Sequence, residues 1–319
     1  MQSKVLVCGA GGFIGNHLVT KLKNMGYYVI GADLKHPEFC ASDADEFYIK
    51  DLTIQSEVNE LFTKGFHTVF QLAADMGGAG YISTELNDAN VMRNSLSINI
   101  NICSAMLKYN VQDVLFTSSA CVYPEYLQDT DNIPTLEEHT VYPASPDSEY
   151  GWEKLISERL YINHAKNHNF RVRIARLHNV FGPLGTYQSG KEKAPAALCR
   201  KVATSNRVEI WGDGQQQRSF LYIDQCIEGI IRLHQSDCNV PLNIGSERTV
   251  TINELVDIIA THSNRRVNKI HVDGPQGVRS RTGNNSLVNE KLNWVPDENL
   301  EQGLYETYNW IQEQIANDE

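Results

Sequence analysis

The chain has 319 residues, of which 41% are hydrophobic and 21% charged, so it can form one large α/β domain or two closely associated ones. This composition excludes a largely disordered chain, and the formal net charge of -11 disfavours nucleic acid or an anionic membrane as the main partner. We find no secretory leader and no apolar run long enough to span a bilayer, so we expect a cytoplasmic protein with no membrane partner.

The first predicted strand, residues 4–8, runs directly into the glycine-rich stretch Gly-Ala-Gly-Gly-Phe-Ile-Gly, which opens an amphipathic helix. This order is typical of a dinucleotide-binding turn. Gly9 permits the tight turn, Gly12 lets the backbone approach a pyrophosphate, and Gly15 lets the helix pack on the strand. The N–H groups at the start of the helix favour the phosphates.

Acidic residues follow the next two predicted strands. Asp33 ends the second strand, where a carboxylate accepts hydrogen bonds from both ribose hydroxyls and repels the extra phosphate of NADP. The sequence therefore favours NAD, and the competing interpretation of Asp33 is a solvated loop acid. The third strand ends at Asp51 and Leu52, which are placed to contact adenine. A fourth strand, residues 68–74, leads into a glycine-rich loop that either approaches a ligand or is a mobile surface loop.

A later apolar strand ends in two hydroxyls and a thiol. Ligands of an open parallel sheet bind beyond the carboxyl ends of its strands, so Ser118, Ser119 and Cys121 are expected at the site of chemistry. The competing interpretation of Cys121 is a buried, inert thiol. The seven cysteines are odd in number and form no Cys-X-X-Cys pair, so we predict neither a disulfide framework nor a metal site.

Tyr150 and Lys154 are four residues apart on one face of a predicted helix. We expect the ammonium to stabilise a phenolate and to lower the tyrosine pKa from about 10 toward neutrality. Together with NAD, this pair suggests removal of a hydride from a carbinol carbon while Tyr150 takes the hydroxyl proton. Ser118 or Ser119 would hold that hydroxyl.

Several motifs together carry a family resemblance. With GAGGFIG, LAAD, TSSA, YGWEK, HNVFGP and WGDGQQQRSFLYID, the chain resembles the extended short-chain dehydrogenase/reductase family of nucleotide-sugar enzymes. Within it, ADMGGAG, SSACVYPE, GKEKAPAALCRK and GPQGVRSR resemble the GDP-mannose 3,5-epimerases. The resemblance implies an α/β fold with a Rossmann doubly wound parallel sheet over residues 1–180. It also implies a return segment near 218–245, a smaller nucleotide-sugar domain over most of 181–319, and a homodimer formed by the helices that begin near residues 88 and 150.

The resemblance also implies roles for individual residues. In the epimerase pattern the sugar is oxidised at C4, and Cys121 as base and Lys193 as acid then invert C3 and C5, with Ser119, Tyr150 and Lys154 serving the oxidation. The implied NAD contacts are Gly9, Gly12, Phe13, Ile14, Gly15, Asp33, Asp51, Leu52, Leu72, Ala73, Ala74, Tyr150 and Lys154. The implied contacts to GDP-mannose or a related nucleotide sugar are Gly78, Ser118, Asn179, Lys193, Lys201, Gln216, Arg218 and Arg281, with Arg279 as an alternative to Arg281.

Two other functions stay open at this point. A nucleotide-sugar 4-epimerase shares NAD, Tyr150 and Lys154 but needs no added acid/base pair, and a non-catalytic NAD sensor needs only the fold. A 4,6-dehydratase is disfavoured because it would carry an Asp-Glu pair where this chain has Ala120 and Cys121. The sequence leaves undecided the nucleotide base, the sugar, and whether both centres are inverted.

Overall fold

A seven-stranded parallel sheet is the centre of the fold. The computed structural model describes residues 2–82, 86–129 and 135–318. Its strands, in chain order, are β1 (Lys4–Cys8), β2 (Tyr28–Asp33), β3 (Glu46–Ile49), β4 (Thr68–Gln71), β5 (Asp113–Ser119), β6 (Thr135–Leu136), β7 (Arg171–Leu177), β8 (Val180–Phe181), β9 (Arg207–Trp211), β10 (Gln217–Ser219), β11 (Leu221–Tyr222), β12 (Leu242–Ile244), β13 (Thr249–Thr251), β14 (Asn268–Val272) and β15 (Ser280–Gly283). Its α-helices are α1 (Phe13–Asn24), α2 (Gln55–Phe62), α3 (Ala79–Ile82), α4 (Asp88–Tyr109), α5 (Glu149–His168), α6 (Ala194–Thr204), α7 (Ile223–Gln235), α8 (Ile252–His262), α9 (Ser286–Leu292) and α10 (Leu300–Asp318).

The strand order of the large sheet is β12-β7-β5-β4-β1-β2-β3, and every neighbouring pair is parallel. The order changes direction between β1 and β4, so the loops that leave these two strands diverge and open a crevice at their carboxyl ends. The predicted Rossmann doubly wound fold is therefore confirmed. The crevice lies where the glycine-rich turn follows β1.

Helices cover both faces of this sheet. On one face α1 and α7 contribute Leu18, Leu22 and Ile230 to the core, and on the other α2, α4 and α5 contribute residues such as Ile102 and Tyr161. Because both faces are covered, the inner strands are apolar along their whole length, as in Val5–Cys8, rather than alternating. The sheet is thus a rigid platform for the loops at its carboxyl edge.

The later part of the chain builds a second, smaller core. Helices α6, α8 and α10 pack together through buried residues that include Cys199, Leu255 and Leu304. A four-stranded sheet of order β13-β10-β15-β6 lies beside the ends of the large sheet's strands. The chain returns to the first core through α7 and β12, whose residues Leu242–Ile244 pair with Ala175–Leu177. The predicted division near residue 180 stays a prediction.

Two absences concern only the part of the chain that the structure describes. There, no helix is both long and apolar enough to cross a membrane. The same residues contain no group of three or more His, Cys, Asp or Glu side chains arranged to hold a metal ion.

Candidate active site

The turn after β1 is fixed by glycines that no other residue could replace. Gly9 has a φ of +82°, and a Cβ added to it would lie 2.8 Å from the backbone nitrogen of Ala73. A Cβ on Gly15 would lie 2.0 Å from the carbonyl oxygen of Gly9, so α1 can approach β1 only with glycine there. At Gly12 the nearest atom to an added Cβ is that same oxygen, at 3.3 Å. The turn therefore has the tight path and open side that a pyrophosphate needs, and α1 begins there with Phe13 and Ile14.

Asp33 is tied to this turn by hydrogen bonds. Its Oδ2 accepts from the backbone N–H of Gly11 at 2.9 Å, and its Oδ1 accepts from the N–H of Leu34 at 2.6 Å. Burial raises the pKa of Asp33, and the backbone hydrogen bonds oppose that rise. A carboxylate has about four acceptor positions, and the backbone N–H groups of Gly11, Leu34 and Lys35 occupy three of them, so one position remains for a ribose hydroxyl. Gly11 was missed as a site residue, although it is one of the four glycines of the motif.

The other predicted cofactor contacts lie in loops that follow β3 and β4. Asp51 accepts hydrogen bonds at Oδ1 from both the N–H and the hydroxyl of Thr53, which closes its loop. The carbonyl of the buried Leu52 accepts from Asn101 at 3.0 Å. Leu72 donates to the carbonyl of Cys8 at 3.1 Å, which holds the segment Leu72, Ala73 and Ala74 beside the glycine turn. Their contacts with NAD stay predictions.

Cys121 lies in a short 3-10 helix, Ala120–Val122, directly after β5. Its N–H donates to the hydroxyl of Ser119 at 3.2 Å, and its side chain is 8% exposed. A Cβ on Gly151 would lie 2.1 Å from the carbonyl oxygen of Cys121, so the first turn of α5 presses directly on this 3-10 helix. The thiol is thus held between the end of β5 and the start of α5.

Arg281 contacts this sulfur from the second part of the chain. Its Nη1 donates to Sγ of Cys121 at 3.1 Å, its Nη2 to Asp147 at 2.6 Å, and its Nε to Gln128. A guanidinium in contact with a sulfur stabilises negative charge there. The sequence had placed Arg281 only among the nucleotide-sugar contacts, and that role stays a prediction for its remaining N–H groups.

Arg218 is a second guanidinium in the same region, and it is half-buried. Its side chain donates to the backbone carbonyls of Gln217, Gln276 and Val278. Burial and the nearby positive charge of Arg281 lower the pKa of Arg218, although it remains well above neutral pH. Because its hydrogen-bond partners are carbonyls, which bear no net charge, the positive charge of Arg218 can attract a diphosphate.

Tyr150 and Lys154 lie on the first turns of α5, whose N-cap Ser148 accepts from the N–H of Gly151 at 3.3 Å. The Lys154 ammonium lies 5.6 Å from the centre of the Tyr150 ring and donates to the carbonyl of Thr117 at 3.1 Å. The predicted lowering of the Tyr150 pKa is wrong for this structure. Burial raises the pKa of Tyr150, the sulfur of Cys121 adds to the rise, and a hydrogen bond with Ser119 opposes it.

Lys193 is the N-cap residue of α6. Burial lowers its pKa, and electrostatic attraction to the sulfurs of Cys121 and Cys226 opposes that change. The amine is therefore within electrostatic range of Cys121 rather than in bulk solvent. The segment before it is fastened to the glycine-rich loop, because the N–H of Gly78 donates to the carbonyl of Lys191 at 2.9 Å.

Ser118 lies in a buried network. Its hydroxyl donates to the carboxylate of Glu158 at 2.5 Å, Arg176 donates to the same carboxylate, and the residue is 3% exposed. Adjacent residues of a strand point to opposite faces, so Ser118 and Ser119 point in different directions. This geometry favours Ser119 over Ser118 as the residue that holds the sugar hydroxyl, and the contacts of both serines stay predictions.

The remaining predicted substrate contacts are polar side chains held by backbone carbonyls. Asn179 donates to Ser219 at 2.9 Å, Gln216 to Trp211 at 2.8 Å, and Lys201 to Glu209 at 2.8 Å. The side-chain oxygen of Gln216 is buried and has no hydrogen-bond partner among the described residues, so it can accept one from a ligand. The roles of Asn179, Lys201 and Gln216 stay predictions.

Comparison with known proteins agrees with this geometry. The model of the NAD dependent epimerase/dehydratase family matches residues 5–245. This chain belongs to that family. It is 43% identical to a GDP-mannose 3,5-epimerase of Arabidopsis thaliana over 98% of this chain and 83% of that protein. The family membership and the narrower resemblance that the motifs predicted are confirmed.

Solved structures show the same architecture in other family members. A UDP-glucose 4-epimerase from Thermotoga maritima superimposes with a TM-score of 0.86 at 24% identity, covering 98% of this chain and 99% of its own, which shows the shared fold. The protein MoeE5, solved with UDP-glucuronic acid and NAD, has a TM-score of 0.83 at 26% identity, covering 98% of this chain and 100% of its own. This epimerase is therefore an isomerase of nucleotide sugars that uses NAD, and its glycine turn and Asp33 fit that cofactor.

Proposed function

We propose that this epimerase acts on GDP-mannose and inverts both C3 and C5 of the sugar. The observation that carries the proposal is that two groups able to exchange protons interact with each other next to Tyr150. These are the thiol of Cys121, in contact with Arg281, and the amine of Lys193, electrostatically coupled to the same sulfur. A sugar epimerase that inverts a carbon by proton transfer needs such a pair, and the resemblance to GDP-mannose 3,5-epimerases supports the substrate.

The first part of the reaction makes the ring protons acidic. The glycine turn and Asp33 would hold NAD, which would supply reversible hydride transfer at C4. Tyr150, hydrogen-bonded with Ser119, takes the proton of the C4 hydroxyl. Since burial raises the pKa of Tyr150, the positive charge of Lys154 beside the ring is needed to lower the cost of the phenolate. The resulting C4 ketone acidifies the hydrogens on the two neighbouring carbons.

The second part is the inversion itself. One group removes the proton from C3 or C5 and another returns a proton from the opposite face. We assign removal to Cys121, whose contact with Arg281 favours the thiolate that acts as a base. We assign return to Lys193, because burial lowers its pKa and so makes its ammonium a better proton donor near neutral pH. Arg218 binds the diphosphate in this assignment.

Exchange with solvent separates this proposal from its alternatives. We expect the protein, incubated with GDP-mannose in heavy water, to incorporate deuterium at C3 and C5 while GDP-L-galactose or GDP-L-gulose appears. Nuclear magnetic resonance of the recovered nucleotide sugar measures both. Product without deuterium would indicate a 4-epimerase, and neither product nor deuterium would indicate an NAD sensor. Deuterium at one carbon alone would reduce the proposal to a single inversion.

The predicted homodimer is part of the same proposal. Helices α4 and α5 pack side by side and leave Ile100, Leu107 and Ile156 exposed, each by 42% or more. Exposed apolar side chains on paired helices suit a second copy of the chain. We expect a dimeric mass by light scattering and a monomeric mass for Ile100→Asp/Ile156→Asp, with Val295→Asp, at another exposed apolar position, unchanged. A monomeric mass for the wild-type protein would contradict the homodimer but not the proposed reaction.

The expected cytoplasmic location also stays a prediction. It rests on the sequence alone, and fractionation of cells that produce the protein would test it.

A further inference from the structure

Asp147 occupies a position that neither the motifs nor the reaction explains. Its Oδ2 accepts from Nη2 of Arg281 at 2.6 Å, and its Oδ1 accepts from the hydroxyl of Ser148 at 3.3 Å. Ser148 is the N-cap of α5, the helix that carries Tyr150. One carboxylate thus connects the guanidinium that touches Cys121 to the start of the helix that holds the predicted proton acceptor.

The Arg281 guanidinium is held from two sides. Gln128 is completely buried, and its amide nitrogen donates to the carbonyls of Tyr123 and Pro124 at 3.0 and 3.2 Å, which orients its oxygen toward Nε of Arg281. Asp147 holds Nη2 on the other side. With these two nitrogens fixed, the planar geometry of the guanidinium directs Nη1 at the sulfur. Gln128 alone would leave the group free to turn about its Nε contact.

We propose that Asp147 is a positioning residue that holds the Arg281 guanidinium against the sulfur of Cys121, and so keeps the thiol ready to act as the base. The inference rests on the proposed function of Cys121. The ion pair between Arg281 and Asp147 is largely enclosed, with side-chain exposures of 8% and 15%. Arg218 instead has carbonyl partners and keeps its charge for the substrate.

The charges around the Cys121 sulfur determine how a substitution at Asp147 would affect the thiolate. The groups that interact electrostatically with Cys121 are Arg281, Arg218, Lys193, Lys154 and Tyr150. Asp147 acts on it in two opposite ways. Its negative charge disfavours a thiolate through space, and its hydrogen bond keeps the favourable cation in contact. Asparagine removes the charge and keeps a hydrogen-bond acceptor, whereas alanine removes both.

Titration of the thiolate separates these two effects without substrate. We compare the ultraviolet absorbance of the thiolate in each variant with that of the same variant carrying Cys121→Ala. In Asp147→Asn we expect the transition to move to lower pH by at least about 0.3 units, because only the negative charge is lost. In Asp147→Ala we expect the transition to lie at a higher pH than in Asp147→Asn, because the Arg281 guanidinium is no longer held against the sulfur. Identical transitions in the two variants would overturn the proposal.

Kinetics give the second measurement. We expect Asp147→Ala to slow deuterium exchange at the ring carbons by at least roughly tenfold, and Asp147→Asn to slow it by less than about threefold. NADH formation from the bound sugar, which depends on Tyr150, should be unchanged in both. Asp257→Asn, which alters an exposed acid paired with Lys269, is the matched control and should behave as wild type. If both Asp147 variants slow deuterium exchange equally, Asp147 acts through its charge alone and does not position Arg281, which would contradict the proposal.

The two measurements also distinguish failure of this inference from failure of the proposed function. If the wild type shows no exchange, the proposed reaction is wrong, yet the thiolate titration still decides whether Asp147 positions Arg281. If Asp147→Ala does not fold, Asp147→Ser takes its place in the comparison with Asp147→Asn, because serine carries no charge and its side chain is too short to hold Nη2 of Arg281.

Discussion

Replacing Cys121 with alanine should abolish proton exchange at C3 and C5 while still allowing NADH to form from the bound sugar. The thiol lies beside Arg281 and within range of Lys193, but oxidation at C4 depends on Tyr150 and Ser119. Loss of a general base lowers a rate by about 10²–10⁴-fold, so exchange should fall to background. Nuclear magnetic resonance in heavy water follows the exchange, and NADH absorbance follows the oxidation in the same sample.

Two further variants give this experiment its controls. Tyr150→Phe should suppress both exchange and NADH formation, because without oxidation the ring protons are not acidic. Cys238→Ala removes a half-buried thiol that donates to the backbone carbonyl of Val240 at 3.5 Å and has no role in the proposed reaction, so it should leave both signals at wild-type levels. Undiminished exchange in Cys121→Ala would refute the assignment of the thiol as the base.

What the sequence predicted well depends on contiguous residues. The glycine turn, the acid that ends β2 and the Tyr150/Lys154 pair each lie within one short stretch, and each stretch requires its residue types for a local reason. A Cβ at Gly15 would meet the carbonyl of Gly9, and residues four apart share a helical face. Such features can be recognised without knowing the rest of the fold.

What the sequence could not predict depends on distant contacts and on burial. Arg281 lies 160 positions from the sulfur that it touches, and its partner Asp147 belongs to a loop with no recognisable motif. Ser118 and Ser119 look equivalent in the sequence, and only the orientation of β5 assigns one to Glu158 and the other to the site. The pKa of Tyr150 rises because the phenol is buried, and spacing along a helix carries no information about burial.

The buried network of hydrogen bonds around Ser118 also fixes the position of α5, which carries Tyr150. Glu158 of α5 and Arg176 of β7 form an ion pair at 2.8 Å whose side chains are only 2% and 3% exposed. Arg176 also donates to the hydroxyl of Tyr123, which donates in turn to Asn243 of β12. His178 is completely buried, and its Nε2 donates to the side-chain oxygen of the same Asn243 at 2.9 Å. These contacts fasten α5, and with it Tyr150, to the edge of the large sheet.

Removing one member of this ion pair should therefore be among the most destabilising single changes in the protein. We expect Glu158→Ala to lower the free energy of unfolding by about 3–5 kcal/mol, because it leaves the charge of Arg176 buried without its counter-ion. Chemical denaturation of the purified protein measures the change. Glu228→Ala, which breaks an exposed ion pair with Arg232, should cost less than about 1 kcal/mol and serves as the control.

Adding a second substitution tests the cause of this loss. In Glu158→Met/Arg176→Met both charges are gone, so the desolvation cost of an unpaired ion disappears and we expect stability to recover by at least about 1 kcal/mol relative to Glu158→Ala. Recovery of stability would show that Glu158→Ala destabilises the protein through the buried, unpaired charge of Arg176 and not through lost packing alone. If Glu158→Ala costs no more than the exposed control, this ion pair does not anchor α5, and the position of Tyr150 must depend on the packing of α5 against α4 and the sheet.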